Sequence, residues 1–237
     1  MVAPEEAQDI LAYSENETEA SRYIGEADLI ICLDFNAFHR AENLEPLLLE
    51  ADCKKVLIDH HLFPDTERFD LVFSTQEISS ASELLFHILK AMPQCGGKAA
   101  ALPLEAAEAL MTGMTTDTNN FNNSVYPSTF NMASELIAMG VDRDRILFNL
   151  FNQFGENRLR LLGEMLKDLL TITPDGVAYM VLDKETLEKY HVDEGDTEGF
   201  VNMPLSIKDV RMSLVLKEDG NRVRVSIRSK KGTSANR

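Results

Sequence analysis

Asp59-His60-His61 sets a carboxylate and two imidazoles side by side. They follow Lys55-Val56-Leu57-Ile58, a β-branched and apolar run with the pattern of a buried strand. The triplet therefore lies where a strand ends and a loop begins, the edge of an open α/β sheet at which ligands bind. Two other stretches have the same form. Leu29 to Leu33 is an apolar run ending in Asp34, and Ala109 to Thr116 is a small, apolar run ending in Asp117 between two threonines. Carboxylates and imidazoles at the ends of three core segments could converge on a metal ion. Either aspartate alone would read as a turn or cap residue; the four positions together favour a site. His39, His87 and His191 have no such company and read as structural.

The elements that must position these groups follow from pattern. Strands are predicted over 28–34, 55–58 and 71–73, with a helix over 43–50 between the first two. Ser79 to Met92 reads as a helix with a capping box, Ser80 and Glu83, and an apolar face of Leu84, Leu85, Ile88 and Leu89. A helix over 103–113 opens at Pro103. Thr115 to Phe121 reads as a polar loop. Ser128 is the expected cap of the next helix and Gly140 its close. Leu159, Leu162, Leu166 and Leu169 recur at helical spacing through 156–170. Beyond Pro174-Asp175-Gly176 a strand over 177–182 and a short helix over 184–190 follow. The alternating runs 210–216 and 223–227 flank Asp219-Gly220-Asn221, a hairpin signal. The expected fold class is α/β: a parallel-sheet domain over 1–152, a connecting helix over 153–171 and a smaller α/β domain over 172–237.

Composition bounds the function. The chain has 237 residues, 44% of them apolar, enough for a substantial core. Its longest apolar runs are too short to span a membrane, so no membrane partner is expected. The first dozen residues carry Glu5, Glu6 and Asp9 and no basic segment, so no signal peptide is expected. Three cysteines without CxxC spacing suit a reducing cytoplasm, and Cys32 reads as core packing. A formal net charge of −16 argues against coating long nucleic acid. Basic residues gather at the end, with Arg222, Arg224, Arg228, Lys230, Lys231 and Arg237 and no acid among them.

Asp59-His60-His61 after a strand, Asp34 upstream and Thr116-Asp117-Thr118 downstream resemble the DHH phosphoesterase superfamily. Glu198-Gly199-Phe200-Val201-Asn202 and Val225-Ser226-Ile227-Arg228-Ser229 resemble its DHHA1 substrate domain. The ordered set is similar to the RecJ-like branch of oligoribonucleases and phosphoadenosine-phosphate phosphatases, the nano-RNases. Two family pieces have no counterpart in the sequence: a His…Asp-x-Asp metal loop before Asp34, and a Gly-Gly-Gly-His stretch after Arg237. The chain is therefore expected to be a fragment of a longer enzyme with little activity of its own.

The resemblance implies that Asp34 bridges two metals and that His60 and Asp117 bind one of them. It leaves Asp59 to orient an imidazole and His61 to meet the scissile phosphate. Carboxylate and imidazole without thiolate suit Mn²⁺ or Mg²⁺. Arg222 and Arg224 read as solvated edge-strand positions; the resemblance assigns Arg228 to phosphate contact, and Asn202 to the same cleft. The implied substrates are short oligoribonucleotides and phosphoadenosine phosphate. Two alternatives stand: another small substrate, such as pyrophosphate or a cyclic dinucleotide, and an inactive nucleotide-binding protein. A homodimer through an apolar sheet edge is the remaining partner expectation.

Overall fold

The computed structural model describes residues 10–192, 195–230 and 232–233. Lys231 and Arg237 of the basic run lie outside them. The chain divides into two compact units, Met1–Leu150 and Phe151–Arg237.

The first unit is built on three parallel strands, β1 (Leu29–Leu33), β2 (Lys54–Asp59) and β3 (Leu71–Ser74), in that spatial order. Their side chains alternate across the sheet. Cys32, Leu57 and Val72 face a cluster with Phe38 from a 3₁₀ turn, Leu48 from helix α2 (Glu45–Glu50) and Phe69 from the segment just before β3. Burial there pushes the Cys32 thiol up to about 11, which suits a packing residue. On β1 the alternate residues Leu29, Ile31 and Leu33 are exposed. Helix α1 (Glu17–Glu26) precedes the sheet.

A larger core joins α3 (Ala81–Ala91), α4 (Leu104–Asp117), α5 (Pro127–Ala138) and α6 (Arg143–Phe151) around Phe86, Met111, Met114, Met132 and Leu136. Ser80 caps α3 by accepting from the Glu83 amide at 3.0 Å. The reciprocal bond of a capping box goes one residue further back, where Glu83 accepts from Ser79 N at 3.1 Å. Glu83 is wholly buried. Its Oε2 also accepts from the Ser79 hydroxyl and from Thr129 Oγ1 at 2.7 Å. Ser128 therefore lies within α5 as a donor to Glu83; the expected cap position belongs to Tyr126. Gly140, at φ +101°, closes α5 as expected.

The second unit carries a mixed sheet in the order β4 (Thr171–Ile172), β5 (Val177–Leu182), β6 (Met212–Asp219), β7 (Arg222–Ser229). The β6–β7 pair is the expected hairpin, turning at Gly220. One face is covered by α7 (Glu156–Glu164), a π turn over Met165–Leu169, and α8 (Lys184–Lys189), with Leu161, Met165, Met180 and Phe200 buried. Leu159 departs from the expected leucine face. It is 59% exposed, because the inward row runs through Leu161 and Met165. No helix among the described residues is long and apolar enough to cross a membrane.

Burial pushes the Glu83 carboxyl up, but hydrogen bonds from Ser128, Ser79 and Thr129 outweigh it and hold the group below the ordinary 4.5. A depressed folded pKa contributes stability that is complete above 4.5 and lost as pH falls through the folded value. Glu83→Gln should therefore cost about 1–3 kcal/mol at neutral pH, with the gap to wild type narrowing in acid. Urea denaturation across pH checks this; an equal gap at every pH would contradict it.

Candidate metal centre

Parallel strands deliver their C-terminal ends to one edge, and register decides which residues meet there. Leu33 pairs with Ile58, so Asp34 and Asp59 come off adjacent strands at the same level. The Asp34 amide donates to the Ile58 carbonyl at 3.1 Å, and its backbone then turns left-handed at φ +64°. Aspartate tolerates that conformation better than most side chains.

Asp59 is the last residue of β2 and is wholly buried. Its Oδ2 accepts from the His61 amide at 3.0 Å, and its Oδ1 lies 2.7 Å from His61 Nδ1. Both carboxylate oxygens thus hold the turn that displays the imidazoles. With Nδ1 protonated toward Asp59, His61 keeps Nε2 free. The two rings meet edge to face, centroids 4.8 Å apart.

His60 Nε2 sits between two carboxylates, 3.4 Å from Asp34 Oδ1 and 3.6 Å from Asp117 Oδ2. The hydrogen bond to Asp34 raises the His60 pKa, against burial and with help from Asp117. Burial, followed by the charge of Asp34, raises that of Asp117. Asp117 also ends α4, where the helix dipole disfavours a negative charge. Two carboxylates that resist sharing a site, with an imidazole nitrogen between them, describe a place where a divalent cation relieves repulsion. Donor atoms of Asp34, His60 and His61 all lie within 4.8 Å of one another. All are oxygen or nitrogen, a set that fits Mn²⁺ or Mg²⁺.

Asp117 belongs to the last turn of α4 and not to a polar loop. Thr112 Oγ1 donates to the Glu108 carbonyl and Thr116 Oγ1 to that of Gly113, so these two hydroxyls are satisfied inside the helix, whereas the buried Thr115 hydroxyl has no hydrogen-bond partner. The loop starts at Thr118. Beside the carboxylates, Leu33, Ala81, Ser82, Leu85, Gly113 and Thr116 line a cleft of about 110 Å³. Ser82 and Gly113 escaped the sequence reading; the only signal was a glycine inside a helix, which calls for a packing reason. His39 is exposed, and His87 Nε2 lies 3.8 Å from Glu83.

Residues 4–114 match the model of the DHH family, N-terminal domain. The match lies wholly within the first unit. The chain is 27% identical over 225 residues to the bifunctional oligoribonuclease and PAP phosphatase NrnA of Bacillus subtilis, covering 92% of this chain and 66% of that protein. It is 29% identical over 184 residues to the probable bifunctional oligoribonuclease and PAP phosphatase NrnA of Streptococcus mutans, covering 74% and 54%. The solved structure of an exopolyphosphatase-related protein from Bacteroides fragilis is 38% identical with a TM-score of 0.86, over 94% of this chain and 65% of that one. The chain thus spans 54% to 66% of the length of these relatives.

In the second unit Arg228 and Arg224 line a cavity, and Arg224 is an exposed residue of the edge strand β7, as its reading as a solvated edge position expects. Arg224 and Arg228 share one face of the sheet and are exposed, while Val223 and Val225 on the other face are 56% and 49% exposed. Asn202 is exposed and outside that cavity's wall. Lys217 and Thr197, which the sequence did not single out, are in it.

The approach of α4 to α3 depends on Gly113. A Cβ there would lie 2.0 Å from Ser82 Oγ and 3.1 Å from Ser82 Cβ. Gly113→Ala should destabilise the protein by about 1–3 kcal/mol, and adding Ser82→Gly should recover most of it. A double-mutant cycle in urea measures this; simple additivity of the two changes would show that the helices do not meet through this pair.

Proposed function

We propose that the protein is a metal-dependent phosphoesterase that hydrolyses short oligoribonucleotides and removes phosphate from phosphoadenosine phosphate. The observation that carries the reading is His60 Nε2 held between Asp34 and Asp117 at a strand-end edge. The match to the DHH family and the similarity to two NrnA proteins support it. In this reading residues 1–152 form the DHH phosphoesterase domain, 153–171 a connector and 172–237 the DHHA1 substrate domain.

Bound Mn²⁺ or Mg²⁺ would supply hydroxide at neutral pH and neutralise the phosphoryl oxygens under attack. Asp34, His60 and Asp117 would hold the metal. Asp59, held in a dry site, fixes the tautomer and angle of His61. That leaves His61 Nε2 to meet a phosphate oxygen of the substrate. Arg228 contributes a guanidinium to a substrate phosphate. Asn202 rests on the family resemblance alone. The acidic surface, net charge −16, disfavours long polyanions and favours substrates of a few nucleotides. A cytoplasmic location suits such substrates and the unpaired cysteines.

Two measurements test this. Asp117→Ala should weaken Mn²⁺ binding at least ten-fold by calorimetry; unchanged affinity would remove Asp117 from the ligand set. Mn²⁺-dependent release of mononucleotide from a labelled dinucleotide should exceed that from a long single strand. It should be measured on this chain and on one extended to its relatives' length. There Arg228→Ala should raise KM more than it lowers kcat. Faster turnover of pyrophosphate or of a cyclic dinucleotide would move the assignment to that substrate. Metal binding without any turnover would favour the nucleotide-binding reading.

A further inference from the structure

Two strand-end turns carry the metal cluster of the first unit, and one side chain ties them together. Asn36 lies two positions after Asp34, and Leu62 one position after His61. Asn36 Nδ2 donates to the Leu62 carbonyl at 2.7 Å and lies 3.5 Å from that of Phe63. The Asn36 carbonyl accepts from the Asp65 amide at 2.8 Å. Side chain and backbone of one residue are thus bonded to the segment that follows His60-His61.

Neither turn is relaxed. Asp34 stands at φ +64° and Phe63 at φ +58°. For a side chain as bulky as phenylalanine that conformation is a true outlier. Phe63 is also 86% exposed, so burial of its ring does not compensate for it. Such backbone persists only where its surroundings over-determine it, and it gathers at functional sites. Asn36 is itself held at a cost. With two carbonyls before Nδ2 the amide has one orientation, and Oδ1 is left buried without a hydrogen-bond partner. A buried acceptor left that way is destabilising. Packing alone gives no reason for an amide here; the bond between the turns does.

We propose that Asn36 is a positioning residue of the metal centre. Its amide sets the spacing between the Asp34 turn and the His60-His61 turn, and with it the gap a divalent cation must fit. The inference rests on the reading of that cluster as a metal site. The distances concerned cross from one turn to the other: 3.4 Å from Asp34 Oδ1 to His60 Nε2, and 4.0 Å to His61 Nδ1. A metal site needs its donors placed to within about 0.5 Å, which side chains on loops achieve only when neighbouring hydrogen bonds lock them.

The test compares Asn36→Ala and Asn36→Leu with wild type, each as the whole chain. Leucine has the branched shape of asparagine and neither polar atom. Calorimetry should show Mn²⁺ bound at least ten-fold more weakly by both variants. In EDTA, Asn36→Leu should melt no lower than wild type, because it removes the unpartnered oxygen while the exposed Leu62 carbonyl turns to water. Hydrogen exchange in EDTA should quicken over residues 60–65 and stay unchanged in α3 and α4. Wild-type Mn²⁺ affinity in both variants would overturn the proposal. So would a loss in Asn36→Ala that Asn36→Leu restores, since Asn36 would then only fill space. Faster exchange throughout α3 and α4 would overturn it too, by making the loss one of general stability. No Mn²⁺ binding by wild type would overturn this proposal together with the metal reading; equal binding by wild type and variants would overturn this one alone.

Discussion

The first unit is arranged around an electrostatic conflict. Asp34 and Asp117 arrive from a strand and from a helix end, and each is an uncomfortable neighbour for the other. His60 stands between them. Folding pays for this with the rest of the unit: the β1–β2 register fixes Asp34, buried Asp59 fixes the imidazole turn, and the α3–α4 contact at Gly113 fixes the helix that ends in Asp117. A divalent cation would convert the same repulsion into coordination, which is why such a cluster is more informative than any of its members.

Much of this could be read from the sequence. The strand-end position of Asp59-His60-His61 was legible because an apolar run of β-branched residues ends there, and a parallel sheet sends such ends to one edge. Asp34 followed by the same logic. Asp117 was legible as a candidate that comes close to His60, but not as a helical residue. Thr115-Thr116-Asp117-Thr118 has the composition of a loop, yet Thr112, Thr116 and Thr118 return their hydroxyls to carbonyls of their own helix. Back-bonding of this kind gives the hydroxyls partners inside the helix without removing the weak helix preference of threonine, so composition alone reads the stretch as a loop.

Glu83 shows a second limit. Its spacing from Ser80 announced a helix start, and Ser80 does cap it. Nothing local announced that the carboxylate would be buried and would gather donors from Ser79 and from α5, 46 residues on. Arg158 is the same problem in the second unit. It donates to the carbonyls of Gly195, Asp196 and Glu198, 37 to 40 residues away, and backbone carbonyls carry no sequence signature. The Glu198-to-Asn202 stretch was recognised as a motif; its conformation is explained by a guanidinium that the motif does not contain.

The central claim is that Asp34, His60 and Asp117 share one divalent cation. Anomalous scattering at the manganese edge, from crystals grown with Mn²⁺, locates that ion without reference to any reaction. The account predicts a peak bonded to His60 Nε2 and to one carboxylate oxygen from each of Asp34 and Asp117. A peak held by other side chains, or none at saturating Mn²⁺, would contradict it.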